Sequence, residues 1–254
     1  MSPVIVLPIH DTDGLMFDHL AAITADLKTL FARAFIGLSP ATERALPQRI
    51  AALQADSFFS LNFNHPDTQA GDHFLAVYQG AVDHSTPQQL LHLGNIDRVA
   101  FALQTEHRAE FVKHVTASQQ QSLPVLYQRS IRAWESHPQN YRAVEHIATQ
   151  VGELLLNQAL DFAWCHLAIE AQHLKAILPR IKSHDFTILA EIVLQLRDEL
   201  TVVDADWLAW EDPFIFATAA ATFKQTRETS LAETRKRLRF LIPVLQLLLD
   251  TTEQ

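Results

Sequence analysis

Glycine is scarce in this chain of 254 residues, with only six, at positions 14, 37, 71, 80, 94 and 152. No two of them form G-x-G. That excludes a Walker P-loop and the dinucleotide fingerprint, because both need clustered glycines to bring backbone N–H groups onto phosphates. There is a single cysteine, Cys165, which excludes an intrachain disulfide and a C-x-x-C metal knuckle. No G-x-S-x-G elbow occurs, and Cys165 has His166 beside it but no third member, so nucleophilic catalysis has little support. Charged residues make up only 19% against 48% hydrophobic, a balance that supports a full core and argues against disorder. The net charge of −9 opposes non-specific nucleic-acid binding, which needs a basic surface. The longest apolar stretch, Phe240–Leu249, is broken by Pro243 and Gln246, far short of the ~20 residues of a membrane-spanning helix. The opening MSPVIVLPIH lacks the basic n-region of a signal peptide. The expected location is therefore cytoplasmic.

The first half alternates strand and helix patterns. Pro3–Ile9 is a continuous apolar run, as in a strand buried on both faces. Met16–Phe31 carries apolar residues at helical spacing. Strands are expected at Ala34–Leu38, Phe58–Phe63 and Gln89–Leu93, with helices at Glu43–Gln54 and Asp72–Val82 between them. This order predicts an α/β fold with a mostly parallel sheet flanked by helices. The second half is more helical, with helices expected at His107–Ser118, Pro138–Leu156, Glu170–Ile181, Phe186–Leu200 and Leu231–Leu249. Strands are expected at Pro124–Gln128 and Thr201–Asp204. The expected organisation is one α/β domain over residues 1–225. A C-terminal helix over 226–254 follows, packed on the body or forming a homodimer interface. Its basic segment, with Arg235, Lys236, Arg237 and Arg239, also fits a membrane-surface helix, although docking is the ordinary fate of an apolar helix face.

Ligands of parallel α/β sheets sit at the carboxyl ends of strands. After the first expected strand come His10, Asp11, Thr12, Asp13 and Gly14; after the second come Ser39, Pro40, Ala41 and Thr42. After the fourth come Gly94, Asn95, Ile96, Asp97 and Arg98. Asn95 and Asp97 are two apart, so an extended segment points both the same way. Two oxygen donors so placed suit Mg²⁺ or Mn²⁺. Gly-Asn is also ordinary turn chemistry, and Asp97 is equally placed to cap a helix. Asp11 and Asp13 have the same two readings: contact with a nucleoside, or the N-terminal cap of the next helix. His166, Glu170 and His173 fall on one helical face, but a di-iron site needs a second E-x-x-H that the chain lacks. Trp134, Trp164, Trp207 and Trp210 are core anchors by default. Trp210, with Glu211-Asp212, is the best placed of them for a site.

Taken together, these pieces resemble a bacterial family of glycosyltransferase-like proteins with the nucleotide-diphospho-sugar transferase (GT-A) type of fold, Rossmann-like in outline. The resemblance runs through His10-Asp11 with Gly14, Ser39-Pro40-Ala41-Thr42 and His92 to Arg98. It continues in Arg129 to Trp134, His137-Pro138, Glu145, Ala190-Glu191 and Trp207 to Trp210. It implies a glycosyltransferase that takes a nucleotide-diphosphate sugar and an acceptor. A divalent metal (Mg or Mn) would sit at a degenerate D-x-D formed by Asn95 and Asp97. His10, Asp11, Asp13, Ser39, Thr42 and Asn95 would bind the nucleotide, and Glu191 would be the catalytic base. The chain departs from the family pattern twice, with Asn95 in place of the first acid and Leu189 in place of an acid two residues before Glu191. Those departures motivate an alternative: a catalytically inactive relative that binds a nucleotide or a partner. A plain nucleotidyltransferase is the third reading. It wants a glycine-rich, lysine-bearing loop that His10–Gly14 does not supply.

Overall fold

The computed structural model describes residues 2–64, 69–120, 124–163, 166–217 and 220–252. In chain order the first half runs β1 (Val4–Ile9), α1 (Leu15–Leu30), β2 (Arg33–Leu38), α2 (Pro40–Ala45), α3 (Pro47–Gln54), β3 (Phe59–Phe63), α4 (Ala70–Asp83), β4 (Leu90–Leu93), α5 (Ile96–Gln104) and α6 (Arg108–Ser118). The second half runs β5 (Val125–Arg129), α7 (Ile131–Ser136), α8 (Gln139–Leu156), β6 (His166–Glu170), α9 (Ala171–Ile177), α10 (Thr187–Leu196), β7 (Thr201–Ala205), α11 (Asp212–Ile215), α12 (Ala220–Thr229) and α13 (Leu231–Thr252).

The strands form one seven-stranded sheet in the order β3-β2-β1-β4-β6-β5-β7. All pairs are parallel except those made by β6, which runs antiparallel to β4 and β5. The expected class, a mostly parallel sheet flanked by helices with a helical C-terminal segment, is what the chain adopts. β1 explains why its sequence is apolar throughout. Val4 and Val6 enter the core on one face, with α4, α8, α9, α10 and α13; Ile5, Leu7 and Ile9 enter the core on the other, with α1, α3, α5 and α6. At Gly37 the absent side chain lets α4 close on β2, since a Cβ there would lie 1.7 Å from Val77 Cγ2.

Three expectations need correction. The helix expected at Glu43–Gln54 is two helices, because Pro47 takes the first helical position of α3 and the chain breaks at Leu46. The helix expected at Glu170–Ile181 begins only at Ala171, and the five residues before it are β6. His166, Glu170 and His173 therefore do not share a helical face: His166 and Glu170 open and close a central strand, and only His173 is helical. Trp164 and Cys165 lie outside the described residues. Among the described residues, no helix is long and apolar enough to cross a membrane.

Candidate functional site

β4 ends at Leu93, and the chain turns through Gly94 and Asn95 into α5. Asn95 occupies the N-cap position, but its side chain makes no capping bond; its backbone N–H donates to His166 Nε2 at 3.4 Å. Asp97, one residue into the helix, accepts the Arg98 N–H on Oδ1 at 2.8 Å. Both side chains line a cavity of about 290 Å³. One carboxylate oxygen thus serves the helix end, while the group still faces open volume.

The rest of the cavity comes from the end of β5, from His137 and α8, from Phe186, from the segment after β7 and from the last two helices. Arg129, the last residue of β5, is buried. It grips Asp161 through two bonds (Nε–Oδ2 2.7 Å, Nη2–Oδ1 2.8 Å) and Glu145 of α8 through a third at 2.7 Å. Its guanidinium lies 3.4 Å from the centre of the Trp134 ring. The other oxygen of Glu145 accepts from Arg237 of α13 at 2.8 Å, and Arg237 stacks on Tyr141 at 3.7 Å. After β7 the chain delivers Trp210, Glu211 and Asp212. The Trp210 indole donates to Asp212 at 3.0 Å, and Asp212 pairs with Arg227 of α12 at 3.1 Å. Arg227 also bonds the Tyr141 hydroxyl, which in turn donates to Glu233 at 3.1 Å. Lys236 reaches the same cavity from α13. Arg98 anchors the floor: its Nη1 donates to the carbonyls of Leu208 (2.9 Å) and Ala209 (2.7 Å) and pairs with Glu211 at 2.7 Å.

Burial sets the electrostatics. It pushes the Glu211 carboxyl up to about 8 against the pull of Arg98, with help from the repulsion of Asp97 and Asp212. Burial also raises Asp97, again opposed by Arg98 and assisted by Asp212. His137 on the cavity wall is driven well below its usual range by burial and by the Arg129 and Arg98 charges. Burial thus favours the protonated form of Glu211. Five cationic side chains then face fewer ionised acids than a formal count suggests, which suits an anionic ligand.

The structure joins only part of the expected residue set to this cavity. At the ends of β1 and β2, His10, Asp11, Ser39 and Thr42 form a second, continuous hydrogen-bonded group. His10 Nδ1 meets Ser39 Oγ at 2.9 Å, Ser39 Oγ meets Thr42 Oγ1 at 3.0 Å, and Thr42 Oγ1 accepts the Asp11 N–H at 2.7 Å. The Asp11 carboxylate accepts the N–H groups of Gly14 and Phe17, so it ties down the start of α1. Asp13 is exposed and accepts from Leu15 N–H. This group and the cavity lie at the same edge of the sheet, because β1 pairs in parallel with β4, but none of its members lines the cavity. Glu191 is buried in α10, and its two oxygens accept the N–H groups of Lys182 and Ser183 at 2.9 to 3.1 Å; it does not line the cavity either. Tyr141, Arg227 and Arg237 were not singled out from the sequence as site residues. Two of them lie in or beside the basic C-terminal run, which drew attention as a surface and not as a wall.

Among the described residues, no group of three or more His, Cys, Asp or Glu is placed to hold a metal ion. Asn95 and Asp97 nonetheless put two oxygen-bearing side chains in one cavity. A cation of the Mg²⁺ type commonly takes one or two protein ligands and completes its shell with water and phosphate oxygens, so the donor set fits such an ion arriving with a diphosphate.

No protein-family model matches the chain, and no curated protein matches it in sequence. Solved structures do match in shape. A mycobacterial protein superposes with a TM-score of 0.58 at 15% identity, over 97% of this chain and 74% of that one. The 4-diphosphocytidyl-2C-methyl-D-erythritol synthase of Anaerococcus prevotii superposes with a TM-score of 0.50 at 10% identity, over 88% and 96%. What these two share with the chain is the arrangement of a sheet flanked by helices. Glucosyl-3-phosphoglycerate synthase of Mycobacterium tuberculosis, solved with Mn²⁺, UDP and phosphoglyceric acid, overlaps more loosely, with a TM-score of 0.48 at 10% identity over 90% and 78%. At these identities the likeness is one of fold.

Proposed function

We propose that the chain is a glycosyltransferase that takes a nucleotide-diphosphate sugar, with the donor's diphosphate lying beside Asn95 and Asp97. The observation that carries this reading is the placement of those two side chains, at the end of β4, in a cavity that also holds Arg98, Arg129, Arg227, Lys236 and Arg237. Asp97 and Asn95 would hold a divalent ion, which would offset charge on the departing diphosphate. Lys236, exposed at the cavity wall, would face the same phosphates. The four arginines are tied to protein acids and carbonyls, so they shape the field more than they grip the ligand. In its ionised form, which gains population as the pH approaches about 8, Glu211 would take the acceptor hydroxyl's proton in this scheme. The base role expected of Glu191 passes to it because the Glu191 oxygens are engaged by backbone N–H groups outside the cavity.

Titration calorimetry with UDP, GDP and dTDP in the presence of Mn²⁺ tests the donor side. Binding of one of them, lost in Asp97→Ala, is expected; silence with all three, in wild type and variant alike, would overturn the reading. A second reading, a nucleotide-binding protein without turnover, is favoured by the neutral Asn95 and by the prior engagement of the arginines. It predicts binding heat with no release of nucleoside diphosphate from the sugar donors, with or without added acceptors.

A further inference from the structure

Helix α13 has two apolar faces. Leu241, Val244 and Leu248 are buried in the core against α8 and α10. A second set points outward: Leu231 is 62% exposed, Leu238 39%, Ile242 62% and Leu249 47%, while Leu245, half-buried and packed against the core, borders both faces. Together with Arg235, these residues fall at alternating steps of four and three along the helix, at 231, 235, 238, 242, 245 and 249. That spacing, with a period of 3.5, is the seam of a two-helix coiled coil. A helix that only docks on its own body needs one stripe, not two.

We propose that this outward seam is a self-association surface, occupied by α13 of a second copy in antiparallel orientation. The charges choose the orientation. The exposed cations Arg235 and Arg239 lie in the first half of α13, and the exposed acid Asp250 lies near its end. A parallel pair sets Arg235 against its own copy. An antiparallel pair sets Arg235 beside the turn that carries Asp250, Leu238 against Leu249 and Ile242 against Leu245. The contact is isologous and closes on itself, as two-fold dimers do. A lipid surface is the weaker occupant, because Arg235 falls within the stripe itself and the chain's charge of −9 repels anionic headgroups. This inference does not depend on the proposed activity.

The test is the mass of the full chain in solution, by light scattering across a wide concentration range, set against the 28.7 kDa of one chain. A concentration-dependent dimer is expected. Ile242→Glu, at a solvent-facing position, should leave the far-ultraviolet circular dichroism and melting unchanged and give a monomer. Leu238→Gln is the second variant should Ile242→Glu disturb folding. Arg235→Glu and Asp250→Arg should each weaken association a few-fold, and together should restore it. A wild-type monomer at every concentration, or a dimer indifferent to Ile242→Glu and Leu238→Gln, would overturn the proposal. So would a dimer that the double charge swap fails to restore, since the orientation then falls. A monomer that floats with phosphatidylglycerol vesicles would overturn it in favour of a membrane.

Discussion

Arg98 Nη1 and Glu211 Oε2 lie 2.7 Å apart, yet Glu211 stands at about 8, because burial and two neighbouring carboxylates outweigh one shared guanidinium. Arg98 spends the same nitrogen on the carbonyls of Leu208 and Ala209. An acid raised in the folded state favours folding fully below its unfolded value, near 4.5, and that contribution is lost as the pH rises through about 8. Denaturant unfolding from pH 7 to 9, above the range in which the histidines titrate, should therefore show a decline that Glu211→Gln flattens, by up to about 1.4 kcal/mol per pH unit. Equal slopes in the two proteins would place the proton elsewhere.

Glu145 joins Arg129 to Arg237, one carboxylate oxygen to each. Glu145→Ala should destabilise the chain by about 3–5 kcal/mol, because two buried guanidinium groups lose a partner at once. Glu145→Gln, which keeps the shape and accepts one of the bonds, should lose less. Urea midpoints with unchanged slopes are the measurement.

Gly37→Ala should cost about 1–3 kcal/mol by overpacking against Val77. Val77→Ala alone creates a small cavity, and the double variant should recover part of both losses. A double-mutant cycle with no coupling would mean that α4 shifts freely over β2.

His73 and His92 are held down at about 4 by burial, and His137 and His166 lie lower than usual for the same reason. A base depressed in the folded state supports folding above its unfolded value, near 6.5, and that support is lost as the pH falls through about 4. The chain should weaken on acidification over that interval. His92 has two buried nitrogens without hydrogen bonds and sits among the rings of Phe31, Phe111, Tyr127 and His166. His92→Phe should remove its share of the acid limb and cost little at pH 8, as followed by melting temperature against pH.

The parts of the fold that were legible in the sequence are those whose cause is local. β1 reads as a buried strand because both its faces are covered, and α1 reads as a helix because Phe17, Leu20, Ile23 and Leu27 make one stripe. β6 did not read as a strand. Glu170 passes directly into α9 with no glycine or proline to mark the change, and what fixes the strand is pairing with distant partners, Leu91 with Ile169 and Leu126 with Leu167. The site divides in the same way. Asn95 and Asp97 are visible as the residues that follow a strand. Arg129 is far in sequence from Arg227 and Arg237, and the docking of α12 and α13 along α8 brings them to one wall.

The cavity is walled by residues between 95 and 145, by Phe186, by residues between 210 and 216, and by residues between 227 and 240. On the ribosome, then, the sheet and the Asn95–Asp97 turn are made long before the site exists. Until α13 emerges, Glu145 has Arg129 but not Arg237, and the groove beside Asp97 stands open along that side. A nascent chain stalled before α13 should already hold all seven described strands and yet leave the cavity unwalled on that side, so the sheet precedes the enclosure of the space beside Asp97.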